Sequence, residues 1–156
     1  MATDLDKYAH RARLWGMVVV SMTKGIWDLV EDSAVTLSPF IGENLLSELE
    51  KSAGFEVAGE KPEHMLVELG RILVDEVGYA TEAKVESGDK FYKLILINAV
   101  GLPEFKSLEA KGITKPFSNP VYCTGLAAMA RLGYKCRAKM DIDLENKTQT
   151  TTFELI

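Results

Sequence analysis

At 156 residues the chain is long enough to bury the core of one domain. Its 47% hydrophobic and 26% charged residues exclude wholesale disorder. The net charge is −5, from 18 basic and 23 acidic residues interspersed along the chain, so no basic stripe offers itself to a nucleic-acid backbone and no nucleic-acid partner is expected.

In chain order, the first predicted element is a helix. Thr3 supplies its cap, and Asp4 and Asp6 suit the positive end of its dipole. Tyr8, Ala12, Trp15, Val19, Met22, Ile26 and Val30 recur at steps of three and four and form one stripe. Leu14, Met17 and Val20 make the other face apolar as well. A helix apolar all round needs cover on more than one side, from the core or from another subunit. The run 14–22 follows Lys7, Arg11 and Arg13 as a signal peptide would, but Asp4 and Asp6 acidify that flank and no small-residue cleavage site follows. It is also shorter than the ~20 residues that cross a bilayer, so no stable membrane insertion is expected.

A second helix is read from Ser38-Pro39, a capping hydroxyl followed by proline at the first helical position. Ile41, Leu45, Leu49 and Ala53 give its stripe, and Gly54 its stop. A third helix begins near Pro62, buries Met65, Leu66, Leu69, Ile72, Leu73 and Val77, and ends at Gly78. Glu56, Glu60, Glu63 and Glu68 are read as solvating this loop and helix. From Tyr79 the period shortens to two. Ser87-Gly88-Asp89 is turn chemistry, and Phe91 to Asn98 is rich in strand formers, which together predict a hairpin with a central second strand. Leu102 to Ala110 reads as a short crossover helix ended by Gly112. Asn119-Pro120 starts a further helix carrying Val121, Tyr122, Leu126, Met129 and Ala130, ended by Gly133. A second hairpin follows, with a turn at 144–147.

The two hairpins match at an offset of 55 residues: Gly78-Tyr79 and Ala83 to Glu86 against Gly133-Tyr134 and Ala138 to Asp141. The expected architecture is therefore α+β: N-terminal helices, then a four-stranded antiparallel sheet from two helix-strand-strand units related by a pseudo-twofold. The whole chain, 1–156, is expected to form a single domain, with 1–77 helical and 78–156 holding the two hairpins and the crossover helix.

That element order resembles the ligand-binding fold shared by the 4-vinyl-reductase domains, a vesicle-tethering transport-complex component and the haem-nitric-oxide-binding domains. The motifs are Gly42-Glu43, Leu69-Gly70-Arg71 and Pro120-Val121-Tyr122-Cys123-x-Gly125, and the resemblance runs from about residue 40 to the end. It is placed nearest to the 4-vinyl-reductase, or hydrocarbon-binding, group. It implies a small lipophilic or tetrapyrrole-like ligand as partner, held between helices and sheet by Trp15, Val19, Met22, Phe91, Tyr122, Cys123 and Met129. The cofactor is left unknown. The terminal hairpin lacks the cysteines of that group, so no metal site is expected. Haem needs an axial ligand, but His64 falls on a polar helix face and His10 beside Arg11, and the propionate-binding tyrosine–serine–arginine motif is missing.

Two other readings stand beside this one. A small hydrolase resembling the aminothiazoline-carboxylate hydrolases would use Cys123 or an acidic residue, since a thiol in the first turns of a helix is activated by the dipole. Burial as a small apolar residue is the favoured role for both Cys123 and Cys136. Asp141, Asp143 and Glu145 are read as a solvated edge rather than a cation site. No phosphate loop, nucleophile elbow or His-Glu-x-x-His motif occurs. The last reading is a homodimeric interaction module paired through the first helix. The two unpaired cysteines suit a cytoplasmic protein.

Overall fold

The structure, a computed structural model, describes residues 3–54, 56–59 and 61–156. The first helix, α1 (Asp4–Val30), begins in a capping box: the Thr3 hydroxyl accepts from Asp6 N at 3.2 Å while the Asp6 carboxylate accepts from Thr3 N at 2.8 Å. It buries only Val20 and Thr23, with Gly16, Val18, Ile26 and Trp27 half-buried. Of the stripe read in the sequence, Tyr8, Ala12, Trp15, Val19, Met22 and Val30 are exposed and Ile26 is half-buried. A 3-10 helix (Glu31–Leu37), not foreseen, joins α1 to α2 (Ser38–Ala53), which ends at Gly54 in the left-handed conformation, φ 68°. Ser38 is the first helical residue and not the cap, and its buried hydroxyl has no hydrogen-bond partner among the described residues. After Ser38, Gly42 and Leu46 are the buried residues of α2 among the described residues, one position round from the expected Ile41–Leu45–Leu49 stripe, which is half-buried. The side chain of Ala53 and the whole of Glu60 lie outside the described residues.

Helix α3 (Pro62–Arg71) continues into a π-helical turn (Ile72–Glu76) before Gly78, φ 66°. Its buried face is as read, except that Val77 is exposed. The strands are β1 (Glu82–Ser87), β2 (Phe91–Ile97), β3 (Cys136–Asp143) and β4 (Thr148–Leu155), with α4 (Leu102–Ala110) and α5 (Pro120–Arg131) between the hairpins. The Asn119 side chain caps α5 through Val121 N and Tyr122 N at 3.0 and 3.1 Å.

All strand pairs are antiparallel, in the order β1-β2-β4-β3, which places β2 centrally. One row across the sheet reads Val85–Leu94–Thr151–Met140. Val85 and Met140 are related by the offset of 55, and they stand symmetrically at the two edges. A pseudo-twofold axis therefore passes between Leu94 and Thr151. Those two differ by 57, because the second hairpin holds two more residues than the first. One sheet face carries α3 and α5, and α2 packs across α5. The space between is filled: Leu46, Leu66, Leu69, Leu94, Leu96, Phe117, Met129 and Phe153 are all buried. At about 1.5–3 kcal/mol per large apolar side chain, this interior is the main source of stability.

Candidate functional site

The seven residues expected to line one pocket fall in three places. Tyr122, Cys123 and Met129 come together on α5 and are buried in the core. Phe91 starts β2, with its ring folded over the Gly88 turn and Lys93 Nζ 5.3 Å from its centroid. Trp15, Val19 and Met22 lie on the outside of α1, with 69%, 36% and 61% of their surfaces exposed. None of the seven lines any of the five concave sites described, which are open surface grooves.

Cys123 is fully buried, and its thiol donates to Phe117 O at 2.9 Å. Burial pushes its pKa up to about 12, and likewise lifts Cys136 to about 11. Such thiols are protonated and inert at neutral pH. The Asp143 carboxylate accepts from Asn146 N (3.0 Å), Asn146 Nδ2 (2.7 Å) and Glu145 N (2.9 Å), bonds that hold its pKa below the ordinary carboxylate value and tie it into the β3–β4 turn. Among the described residues, no three His, Cys, Asp or Glu side chains gather to hold a metal. A buried polar chain missed in the sequence links Gln149 Nε2 to Asn119 Oδ1 (3.1 Å), with the Tyr79 hydroxyl at 3.5 Å from Gln149 Oε1. Asn119 also caps α5, and Gln149 lies on β4.

The feature left without an internal role is α1 itself. Its body-facing side is fixed by the Thr23 hydroxyl, which bonds Val19 O (2.7 Å) and the Ser118 hydroxyl, by Trp27 stacked on Phe117 (6.4 Å), and by Gly16 against Glu104. Roughly a quarter turn around the helix, at 100° per residue, runs the apolar stripe. Tyr8 (73% exposed), Trp15, Val19, Met22 and Leu29 (85%) lie along it, a span of about 30 Å at 1.5 Å per residue. Every residue from 4 to 15 is exposed. Both ends of this helix carry mixed charge, with Lys7 paired to Asp4 (3.1 Å) near its start and Lys24 paired to Asp28 near its end.

No family model matches the chain, and no curated protein matches it. Its structure is similar to the crystal structure of a trafficking protein particle complex subunit 3 from Naegleria fowleri covalently bound to palmitic acid. The TM-score is 0.60 at 12% identity, over 94% of this chain and 95% of that one. The likeness is one of fold. It corrects the placement beside the 4-vinyl-reductase domains and, with it, the reading as a domain of that type for a lipophilic or tetrapyrrole ligand. The physical reason is visible in the interior: the helix–sheet space where that ligand was placed is occupied by Phe117, Met129 and Phe153. No helix among the described residues is long and apolar enough to cross a membrane.

Proposed function

We propose that this chain is a cytoplasmic subunit of a protein assembly of the trafficking-particle kind, and that it pairs with a second copy through the outer face of α1. The observation that carries this reading is the exposed stripe from Tyr8 to Leu29, an apolar face of a long helix that the chain's own core does not use. The similarity in fold to a trafficking protein particle complex subunit supports it. An isologous interface presents the same patch twice about a two-fold axis. With that axis at Val19 the two helices run antiparallel. Tyr8, Trp15, Met22 and Leu29 of one copy then lie along the same apolar stripe of the other. A Val19→Cys chain tests the arrangement directly, since its two new thiols meet at the axis. Mild oxidation is expected to give a covalent dimer from Val19→Cys but not from Leu5→Cys. Equal cross-linking of both, or of neither, removes the antiparallel pairing.

A further inference from the structure

The pseudo-twofold relates helices as well as strands. Gly70 on α3 and Gly125 on α5 stand 55 residues apart, and each is where its helix touches the sheet. A Cβ on Gly70 would lie 2.9 Å from Ala83 Cβ, and one on Gly125 would lie 2.1 Å from the Phe153 ring. Gly78 and Gly133, again 55 apart, both end their helices at positive φ, 66° and 80°. The two halves can therefore be compared position by position across helix and edge strand, and one difference leaves an open surface.

In the second half, Tyr122 fills the angle between α5 and the edge strand β3. It is 4% exposed, and its hydroxyl donates to Ala138 O at 3.4 Å. The corresponding angle between α3 and the edge strand β1 is an open groove of about 340 Å³. Its wall at the Tyr122 position is Val67, 53% exposed, and its edge-strand residue is Ala83, the counterpart of Ala138. Val74 and Val85 complete an apolar floor. The volume lies within the range of small-ligand pockets. Carboxylates dominate the rim. Arg71 is engaged by Glu68 (2.6 Å) and Glu76 (3.3 Å), and Lys84 by Glu82 (3.2 Å). Asp75 lines the groove with no ion-pair partner among the described residues.

We propose that the α3–β1 groove is a docking site for a tyrosine side chain carried, with lysine or arginine beside it, on a segment of a partner protein. The aromatic ring takes the place that Tyr122 holds in the other half. Its hydroxyl meets the Ala83 carbonyl, which an edge strand leaves outside the sheet ladder, and the flanking cation meets Asp75. The groove lies on α3 and β1, so the site stands or falls independently of pairing through α1.

The probe is the tripeptide Ac-Lys-Tyr-Lys-NH2, titrated into the ¹⁵N-labelled full chain and followed by amide chemical shifts. Shifts are expected at Gly70, Val74, Ala83 and Val85. Ac-Lys-Ala-Lys-NH2 and Ac-Glu-Tyr-Glu-NH2 should bind about five-fold or more weakly, the cost of losing an aromatic contact or reversing the charge. Val67→Tyr plants the counterpart ring from within and should abolish those shifts while keeping the fold. If Val67→Tyr does not fold, Asp75→Lys decides, by erasing the preference for the lysine peptide over the glutamate peptide. Equal binding of the alanine peptide, shifts elsewhere, or an unchanged preference in Asp75→Lys would overturn the proposal. Undiminished binding by a folded Val67→Tyr would do the same. So would groove shifts that track protein concentration without peptide, which would make the occupant a second copy.

Discussion

Gly42 sits where α2 crosses α5, and a Cβ built there would lie 2.0 Å from the Cys123 carbonyl oxygen and 3.1 Å from Ala127 Cβ. The first contact is with the backbone of a buried helix, which no rotamer change relieves. Gly42→Ala must therefore push α2 off α5, at a cost near the upper end of the usual 1–3 kcal/mol for overpacking, about 3 kcal/mol. Alanine recovers about 1 kcal/mol as the better helix former. The net loss is about 2 kcal/mol, or a fall in Tm of about 4–8 °C for a chain of this size. Gly25 provides the control, because a Cβ there would meet nothing within 4 Å. Gly25→Ala should keep the propensity gain, up to about 1 kcal/mol, and raise Tm. Equilibrium urea unfolding and thermal melts by circular dichroism read both. If Gly42→Ala were as stable as the parent, the close crossing of α2 on α5 would be refuted, and with it the packing that holds Cys123 inside.

Two further outcomes follow from the same interior. Cys123 should resist iodoacetamide in the native chain at pH 8 and react once urea unfolds it, because burial has pushed its pKa up to about 12; rapid labelling of Cys123 in the native chain would contradict the buried thiol. Arg131 bonds Glu43 and Glu50 at 2.8 and 2.7 Å and holds both carboxyls below their ordinary value. A lowered folded pKa stabilises the native state above the ordinary carboxylate value and loses that contribution as pH falls through the lowered one. Arg131→Ala should thus lose about 1 kcal/mol at pH 7, after allowance for the half-exposed Glu43. Its stability should also decline less steeply on acidification from pH 5 to pH 3 than that of the parent, and parallel acid profiles would refute the pairing.

Much of the fold was legible because its signals are local. Asn119-Pro120 capped α5, Gly54, Gly78 and Gly133 ended helices at positive φ, and the limits of α4 were read directly from 102–110. The 55-residue offset foretold a symmetric sheet, though not the two extra residues in the second hairpin, since register depends on pairing across the sheet. Ser38 carried a capping side chain at a position that needed none, because the 3-10 helix before it already runs in helical geometry. The π-helical turn after Arg71 left no mark in the apolar spacing. The largest departure was α1. Periodicity locates an apolar stripe, but it is silent on whether the chain's own core or another molecule covers it. Tyr8, Trp15 and Met22 fit the helical period equally well in either case, and only the placement of Val20 and Thr23 against the body shows which side faces in. The candidate pocket residues divide for a related reason: Tyr122 and Met129 are residue types that line pockets or fill cores alike, and here they are buried in the core.

The most direct test of pairing through α1 is sedimentation equilibrium of the parent chain beside Trp15→Glu. Trp15 is 69% exposed, so the substitution leaves the core untouched while placing a charge within the stripe, one turn from Val19. The parent is expected to sediment at twice the 17.3 kDa chain mass, and Trp15→Glu at the chain mass with an unchanged Tm at low concentration. A parent that stays at the chain mass at high concentration, or a Trp15→Glu dimer as tight as the parent, would contradict the account.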